Sequence, residues 1–271
     1  MRARPLTLEL EGIERAAWQS LAEAAPPDFA RGIGLETADI GGAFMFMASR
    51  VPALQFNWLS GTGLFGDDGS SIADAVRRFR AVGQKTFSVQ IPPGQNASRC
   101  ESHARATGLA PHPLGWAKFH RDTAKPPVVQ TNLQIREVGP DERDAFAATA
   151  IAGFGMPAPM ASWLSQIVGR ERWHAYVAYD GATALGAAAM YVDGDFAWLG
   201  IGATRPEGRR RGSQSALLAR RIADAGRLGA KHATTETGVP QPGQPAPSYA
   251  NILKAGFTVA YVRPNWTEPA A

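Results

Sequence analysis

The run Arg209-Arg210-Arg211-Gly212-Ser213-Gln214, opening onto Ser215-Ala216-Leu217-Leu218-Ala219, constrains the fold more than any other part of this chain. Before it, Trp198-Leu199-Gly200-Ile201-Gly202-Ala203-Thr204 reads as a strand. After it, a helical pattern runs to about Leu228 and ends at Gly229, a residue type that terminates helices. A strand, a Gly- and Arg-rich turn and a helix start, in that order, gather several backbone N–H donors and the positive end of a helix dipole at one point. That point suits a phosphate or pyrophosphate. A Walker loop would need Lys and then Ser or Thr after its second glycine, and a dinucleotide fingerprint would need three glycines in one tight turn; neither is present.

Three consecutive arginines also fit a solvated turn, or a patch for RNA or anionic lipid. Seven of the fourteen basic residues after position 130 lie between Arg205 and Arg227, against two acids, Glu207 and Asp224, so the charge is local to this motif. Each side of position 130 otherwise carries fourteen basic and twelve acidic residues, and the net charge of +4 is not a polybasic tail. With no base-reading motif or aromatic stacking signature, nucleic acid is not the expected partner.

Residues Thr204 to Leu218 resemble motif A of the GNAT superfamily of acyl-CoA-dependent acyltransferases. There, an Arg or Gln, two arbitrary residues, a Gly, one arbitrary residue and a Gly or Ala wrap the CoA pyrophosphate. Arg209 and Gly212 match, and the last position is Gln214. The resemblance implies a cradle of Arg209, Arg210, Arg211, Gly212, Ser213, Gln214 and Ser215, with the backbone of Gly202, Ala203 and Thr204 beside the pantetheine amides. Physically, Gly212 allows the backbone to approach without a Cβ, and Arg209 and Arg211 supply charge-assisted hydrogen bonds. Gln214 must turn its side chain away or donate to the ligand itself.

Downstream, Ser248 to Phe257 reads as a short helix stopped by Gly256, followed by a strand from Thr258 to Val262. It is similar to GNAT motif B, whose Asn, here Asn251, reaches the pantetheine arm. Many members place a Tyr four residues before that Gly to protonate the departing thiolate, and Ile252 stands there. Tyr249, one turn earlier on roughly the same helix face, is the candidate substitute; a core Tyr and an unassisted thiolate are the alternatives.

At 271 residues and 45% hydrophobic, the chain can bury the cores of two domains. Pro126 and Pro127 mark a polar connection, giving domains 1–125 and 131–271. In the second, the expected order is a strand at 133–138, helices from Pro140 and at 161–168, strands at 173–179 and 184–192 split by an Asp180-Gly181 turn, then the cradle strand and its helix, a strand at 231–237, the 248–255 helix and the last strand. That is the GNAT order: a mixed, mostly antiparallel twisted sheet flanked by helices, of α/β (α+β) class. The first half reads as a degenerate tandem copy, with strands at 42–49, 57–60, 85–91 and 114–120 and helices at 70–82 and 97–107; an unrelated cap domain is the alternative. Its counterpart of the cradle, Gly61 to Gly69, carries Asp67 and Asp68, which would repel a pyrophosphate. Its glycines are read as a flexible turn.

Cys100 is the only cysteine, so no intrachain disulfide forms, and five scattered histidines show no ligand spacing; no metal is expected. Met1 to Leu6 is basic, but Glu9, Glu11, Glu14 and Arg15 interrupt any apolar stretch behind it, so neither a signal peptide nor a membrane partner is expected and a cytoplasmic location follows. The GNAT resemblance implies acetyl-CoA as donor and a small-molecule or peptide amine as acceptor, attacked directly in a ternary complex. A protonated amine, with pKa about 10, must first lose a proton. Glu236, at the end of the strand bordering the V-shaped gap between strands, is the candidate base; Asp195 reads as a turn residue, and Trp266 as either pocket lining or core. A non-catalytic CoA-binding regulator is the alternative to an N-acetyltransferase. Whether the halves bury each other or the chain pairs as a homodimer is left open.

Overall fold

The computed structural model describes residues 5–269; the basic residues at positions 1–4 lie outside the described residues. The first half runs α1 (Leu6–Glu23), α2 (Pro27–Ile33), β1 (Leu35–Ile40), β2 (Ala43–Ala48), β3 (Asn57–Ser60), α3 (Ser71–Ala81), β4 (Ser88–Gln90), α4 (Ala97–Ala106), β5 (Ala110–Pro111) and β6 (Trp116–Asp122). The second runs β7 (Gln134–Val138), α5 (Arg143–Phe154), α6 (Ala161–Leu164), β8 (Trp173–Asp180), β9 (Thr183–Asp193), β10 (Phe196–Trp198), β11 (Ala203–Thr204), α7 (Ser213–Arg227), β12 (His232–Gly238), α8 (Pro247–Lys254), β13 (Thr258–Arg263) and β14 (Asn265–Thr267).

Two sheets form, each antiparallel apart from one parallel pair, β3 with β4 and β10 with β12. Their strand orders are β1-β2-β3-β4-β14-β5 and β13-β6-β12-β10-β9-β8-β7, with β11 also on β9. Neither sheet respects the Pro126-Pro127 connection. The strand β6 inserts between β12 and β13 of the second half, and β14 inserts between β4 and β5 of the first, so each half completes the other's sheet.

Side-chain alternation along the strands sends residues to opposite faces. In β10, Ala197 joins the core beneath α7 and α8, whereas Trp198 joins a core shared by both halves. That shared core takes Ile13, Ala17 and Leu21 from α1, Phe44, Phe46 and Trp58 from the first sheet, and Phe146, Trp163, Trp173 and Trp198 from the second half. Burying Phe46 and Phe146 alone contributes roughly 1.5–3 kcal/mol each, shared between the halves. Trp163 Nε1 donates to Leu21 O at 2.6 Å and Trp173 Nε1 to Ser20 Oγ at 3.0 Å, pinning α1 to the second half. The halves therefore bury each other. Trp266 is buried in the first half's core beneath α3 and α4, with the Arg105 guanidinium over its ring.

The turn from β3 to α3, read from the sequence as a flexible one, is organised by side-chain hydrogen bonds. Asp67, only 3% exposed, accepts the Gly63 N–H at 2.7 Å through Oδ2 and the Ser71 N–H at 3.3 Å through Oδ1. Gly63 has φ +74, and a Cβ there would stand 2.9 Å from Cys100 Sγ, so both conformation and packing call for glycine. Thr62 Oγ1 donates to Gln90 O at 3.0 Å, closing the gap beyond the parallel pair β3/β4. Asp68 pairs with Arg99. Among the described residues, no helix is long and apolar enough to cross a membrane.

Candidate functional site

In the second half Thr235 Oγ1 likewise donates across the corresponding gap, to Leu199 O at 2.8 Å, and the chain parts from β12 only beyond it. The parallel pair β10/β12 ends at Trp198 opposite Thr234, with Leu199 N–H to Thr234 O as the next bond at 2.8 Å. The chain then leaves β12 and rejoins β9 at β11, where Ala203 and Thr204 face Ala187 and Gly186. Between them Ile201 has φ +51, a conformation a β-branched residue rarely adopts, so tertiary contacts impose the bulge.

From this bulge a cavity of about 730 Å³ extends past Thr204 to the start of α7. Gly202, Ala203, Thr204, Arg209, Arg210, Gly212, Ser213, Gln214, Ser215 and Asn251 line it, together with Gly153, Phe154, Gly208, Pro247 and Ser248. Gly153 and Phe154 escaped the sequence reading. Their signal was a Gly-Phe pair at the end of α5: a Cβ on Gly153 would stand 2.9 Å from Thr204 N, so only glycine lets α5 approach β11.

The α7 N-terminus is uncapped by any side chain. Its first backbone bond is Ala216 N–H to Gly212 O at 2.9 Å, which leaves the earlier N–H groups of Ser213, Gln214 and Ser215 as orphan donors at the cavity. Gly212 has φ +79, and its Cβ position is 3.7 Å from the nearest atom, so the glycine is required by its left-handed conformation rather than by crowding within the protein. Arg210 is also left-handed, at φ +60. Ser213 Oγ, in a side chain 2% exposed, has no hydrogen-bond partner among the described residues. Arg209 and Arg210 form no ion pair among the described residues, so the cavity mouth keeps their charge uncompensated.

Two other candidates point elsewhere. Arg211 does not line the cavity: its guanidinium pairs with Asp180 at 2.8 Å on the surface, which corrects its expected part in the cradle. Gln214 turns its amide towards α8, where Oε1 accepts from Asn251 Nδ2 at 2.8 Å, tying the starts of the two helices together. Tyr249 packs edge-on against Phe119 at 5.0 Å and borders a separate pocket of about 240 Å³ beside the 237–247 loop. The structure does not bring it to the cavity, and Ile252 is buried in the core.

Glu236 is not among the residues lining this cavity; it lies on the face of β12 that carries the shared core, against Trp198. It is the least buried member of a charged cluster, its side chain 14% exposed. Lys118 of β6, fully buried, places Nζ 3.0 Å from Glu236 and 2.5 Å from Glu14 of α1. Arg263 of β13 bonds both Glu14 and Glu11. Trp198 Nε1 donates to both Glu236 oxygens at 3.0 Å, and Tyr261 OH donates to Glu11 at 2.7 Å. Three carboxylates thus share two cations. Burial pushes the Glu14 carboxyl up, but Arg263 and Lys118 together overcome it and hold it at about 2. For Glu236, burial and then the Glu14 charge push the carboxyl above its ordinary value, against the pull of Lys118. Of Glu14 and Glu236, Glu236 is therefore the readier to take a proton. Asp195 bonds Lys231 across the β10/β12 turn region, as a turn residue does.

No family model and no curated protein matches the chain. Solved structures do. A "GCN5-related N-acetyltransferase from Kribbella flavida" superposes with TM-score 0.63 at 12% identity, over 99% of this chain and 98% of that one. A tandem GNAT protein from the clavulanic acid biosynthesis pathway gives TM-score 0.61 at 15% identity over 97% and 94%. The fold is that of the GNAT superfamily. A second GCN5-related N-acetyltransferase, from Sphaerobacter thermophilus, agrees at TM-score 0.58 and 15% identity, over 96% and 91%. Near-complete coverage of the tandem protein means that both sheets, not the second alone, follow the GNAT arrangement, which favours a tandem copy over an unrelated cap.

Proposed function

We propose that this chain is an N-acyltransferase that moves an acetyl group from acetyl-CoA to a primary amine of a small molecule or peptide by direct attack. One observation carries the reading: a single cavity joins an uncapped helix N-terminus, flanked by Arg209 and Arg210, to the strand edge at Gly202 to Thr204 and to Asn251. The residues fit a pyrophosphate on their own account. The first N–H groups of α7 are unpaired, and Arg209 and Arg210 have no counter-ion among the described residues. These groups would hold the two phosphates.

Acetyl-CoA, when bound, supplies an activated thioester. The chain's part is to position and to move protons. The open edges at Gly202 to Thr204 offer backbone groups to an extended arm, as a sheet edge offers them to an added strand, and Asn251, fixed by Gln214, lies along the same wall. Glu236 takes the amine proton, directly or through water, on an oxygen held by Trp198 and Lys118. Calorimetry with CoA, followed by thiol release from acetyl-CoA across a panel of amines, tests the reading. Micromolar CoA binding with amine-dependent release is expected. Binding without turnover on any amine would instead mark a CoA-responsive regulator, and salt-dependent nucleic-acid binding without CoA affinity would refute the cradle.

A further inference from the structure

Arg221, on α7 two turns beyond the cradle, is 2% exposed and meets no carboxylate. Its nearest acid in sequence, Asp224, is taken by Arg220 at 2.8 Å and Arg227 at 2.6 Å. The guanidinium is held by carbonyls alone: Nε donates to Leu217 O at 3.2 Å, and Nη1 donates to Ala189 O at 2.8 Å and to Gly200 O at 2.9 Å. The remaining nitrogen, Nη2, has no hydrogen-bond partner among the described residues and faces Gly202, where a Cβ would stand 3.6 Å from it. Gly202 is the inner end of the cavity. Burial pulls this guanidinium down to about 10, still charged at neutral pH. A buried cation without a counter-ion is costly; the three carbonyls satisfy part of it, and no carboxylate among the described residues neutralises it.

The same region lacks an acid for the leaving group, since Ile252 is buried and Tyr249 faces Phe119. We infer that Arg221 stabilises the sulfur of CoA as a thiolate, so that the leaving group departs as an anion rather than being protonated by a tyrosine. The inference rests on the acyl-CoA reading above. The electron balance is complete, with water as the only further participant. The ammonium first releases one proton to solvent water; the neutral amine nitrogen then forms the new bond to the acyl carbon, the C–S pair leaves on sulfur opposite the Arg221 charge, and the second nitrogen proton goes to Glu236.

The test needs no acceptor. CoA is bound to the whole protein and its thiol is titrated by ultraviolet thiolate absorbance, beside free CoA. The bound thiol is expected to ionise about one pH unit or more below the free thiol, a tenfold gain in thiolate at a given pH. Arg221→Met should abolish that shift and Arg221→Lys should keep most of it, which a purely structural role in the bulge would not produce. CoA that binds wild type with an unshifted or raised thiol overturns the Arg221 role while sparing the CoA site, and this arm decides even where Arg221→Met fails to fold. A shift retained in folded Arg221→Met also overturns it. Absence of CoA binding to wild type overturns the acyl-CoA reading, and the inference with it.

Discussion

Replacing Lys118 with Met removes one of two cations from a cluster of three buried carboxylates, and the loss can be worked from the contacts. Glu14 keeps Arg263, but Glu236 loses its one direct ion pair among the described residues, keeping the Trp198 N–H and the more distant Arg263 charge. Breaking a buried pair by removing one partner costs about 3–5 kcal/mol, because the other charge is left uncompensated. Proton uptake by Glu236 sets a ceiling on its share: from the ordinary carboxyl value of 4.5, neutralising it costs about 5 kcal/mol at pH 8 but only about 1.4 kcal/mol at pH 5.5, at about 1.36 kcal/mol per unit. Urea unfolding followed by tryptophan fluorescence reads this directly, since five of the seven tryptophans border the shared core. Lys118→Met should lose about 3–5 kcal/mol at pH 8 and markedly less at pH 5.5, and adding Glu236→Gln should restore about 1–3 kcal/mol of it at pH 8. A loss below about 1 kcal/mol, or one of equal size at both pH values, would refute the charge accounting.

Other perturbations follow from the same contacts. Gly212→Val, at φ +79, should lower CoA affinity at least about 100-fold by reorienting the α7 N–H groups, with circular dichroism unchanged; retained affinity in calorimetry would remove the cradle. Asp67→Ala leaves the Gly63 and Ser71 N–H groups unpaired and should cost about 1–3 kcal/mol in urea unfolding, without effect on CoA affinity. Glu14, lowered to about 2, gives stability that is present above its unfolded value of 4.5 and lost as pH falls towards 2. Replacing it with Gln should therefore flatten the acid limb of the stability profile by up to about 3 kcal/mol. Glu236→Gln should cut amine-dependent turnover by about 100-fold or more and remove the acidic limb of the rate profile; an unchanged profile would exclude it as the base.

The elements around the cavity were legible because their signals are local. The helix of α7 ends where Gly229 says it should, β3 has the bounds its sequence suggests, and the Asp180-Gly181 turn joins β8 to β9. The helix α1 was missed for a physical reason. Its Glu11 and Glu14 interrupt the apolar pattern, yet both are buried, and their partners Lys118 and Arg263 lie more than a hundred residues away. The exchanged strands were invisible in the same way: β6 reads plainly as a strand, but nothing in Trp116–Asp122 announces which sheet receives it. Arg211 looked equivalent to its neighbours until Asp180 claimed it, and the orientation of Tyr249 depended on Phe119, supplied by the exchanged β6.

That exchange makes the chain behave as a clasp rather than as two beads on a string. Severing the connection near Pro126 should leave one intact particle, because β6 and β14 would still be held inside the opposite sheets. Producing residues 131–271 alone would leave a strand-wide slot between β12 and β13, beside the unpaired edge of Glu236 and without its Lys118. The half with the open cavity thus depends on its neighbour for both a backbone ladder and a charge. Any lineage that keeps the second site must keep the first half as well, even where Asp67 has sealed that half's own turn.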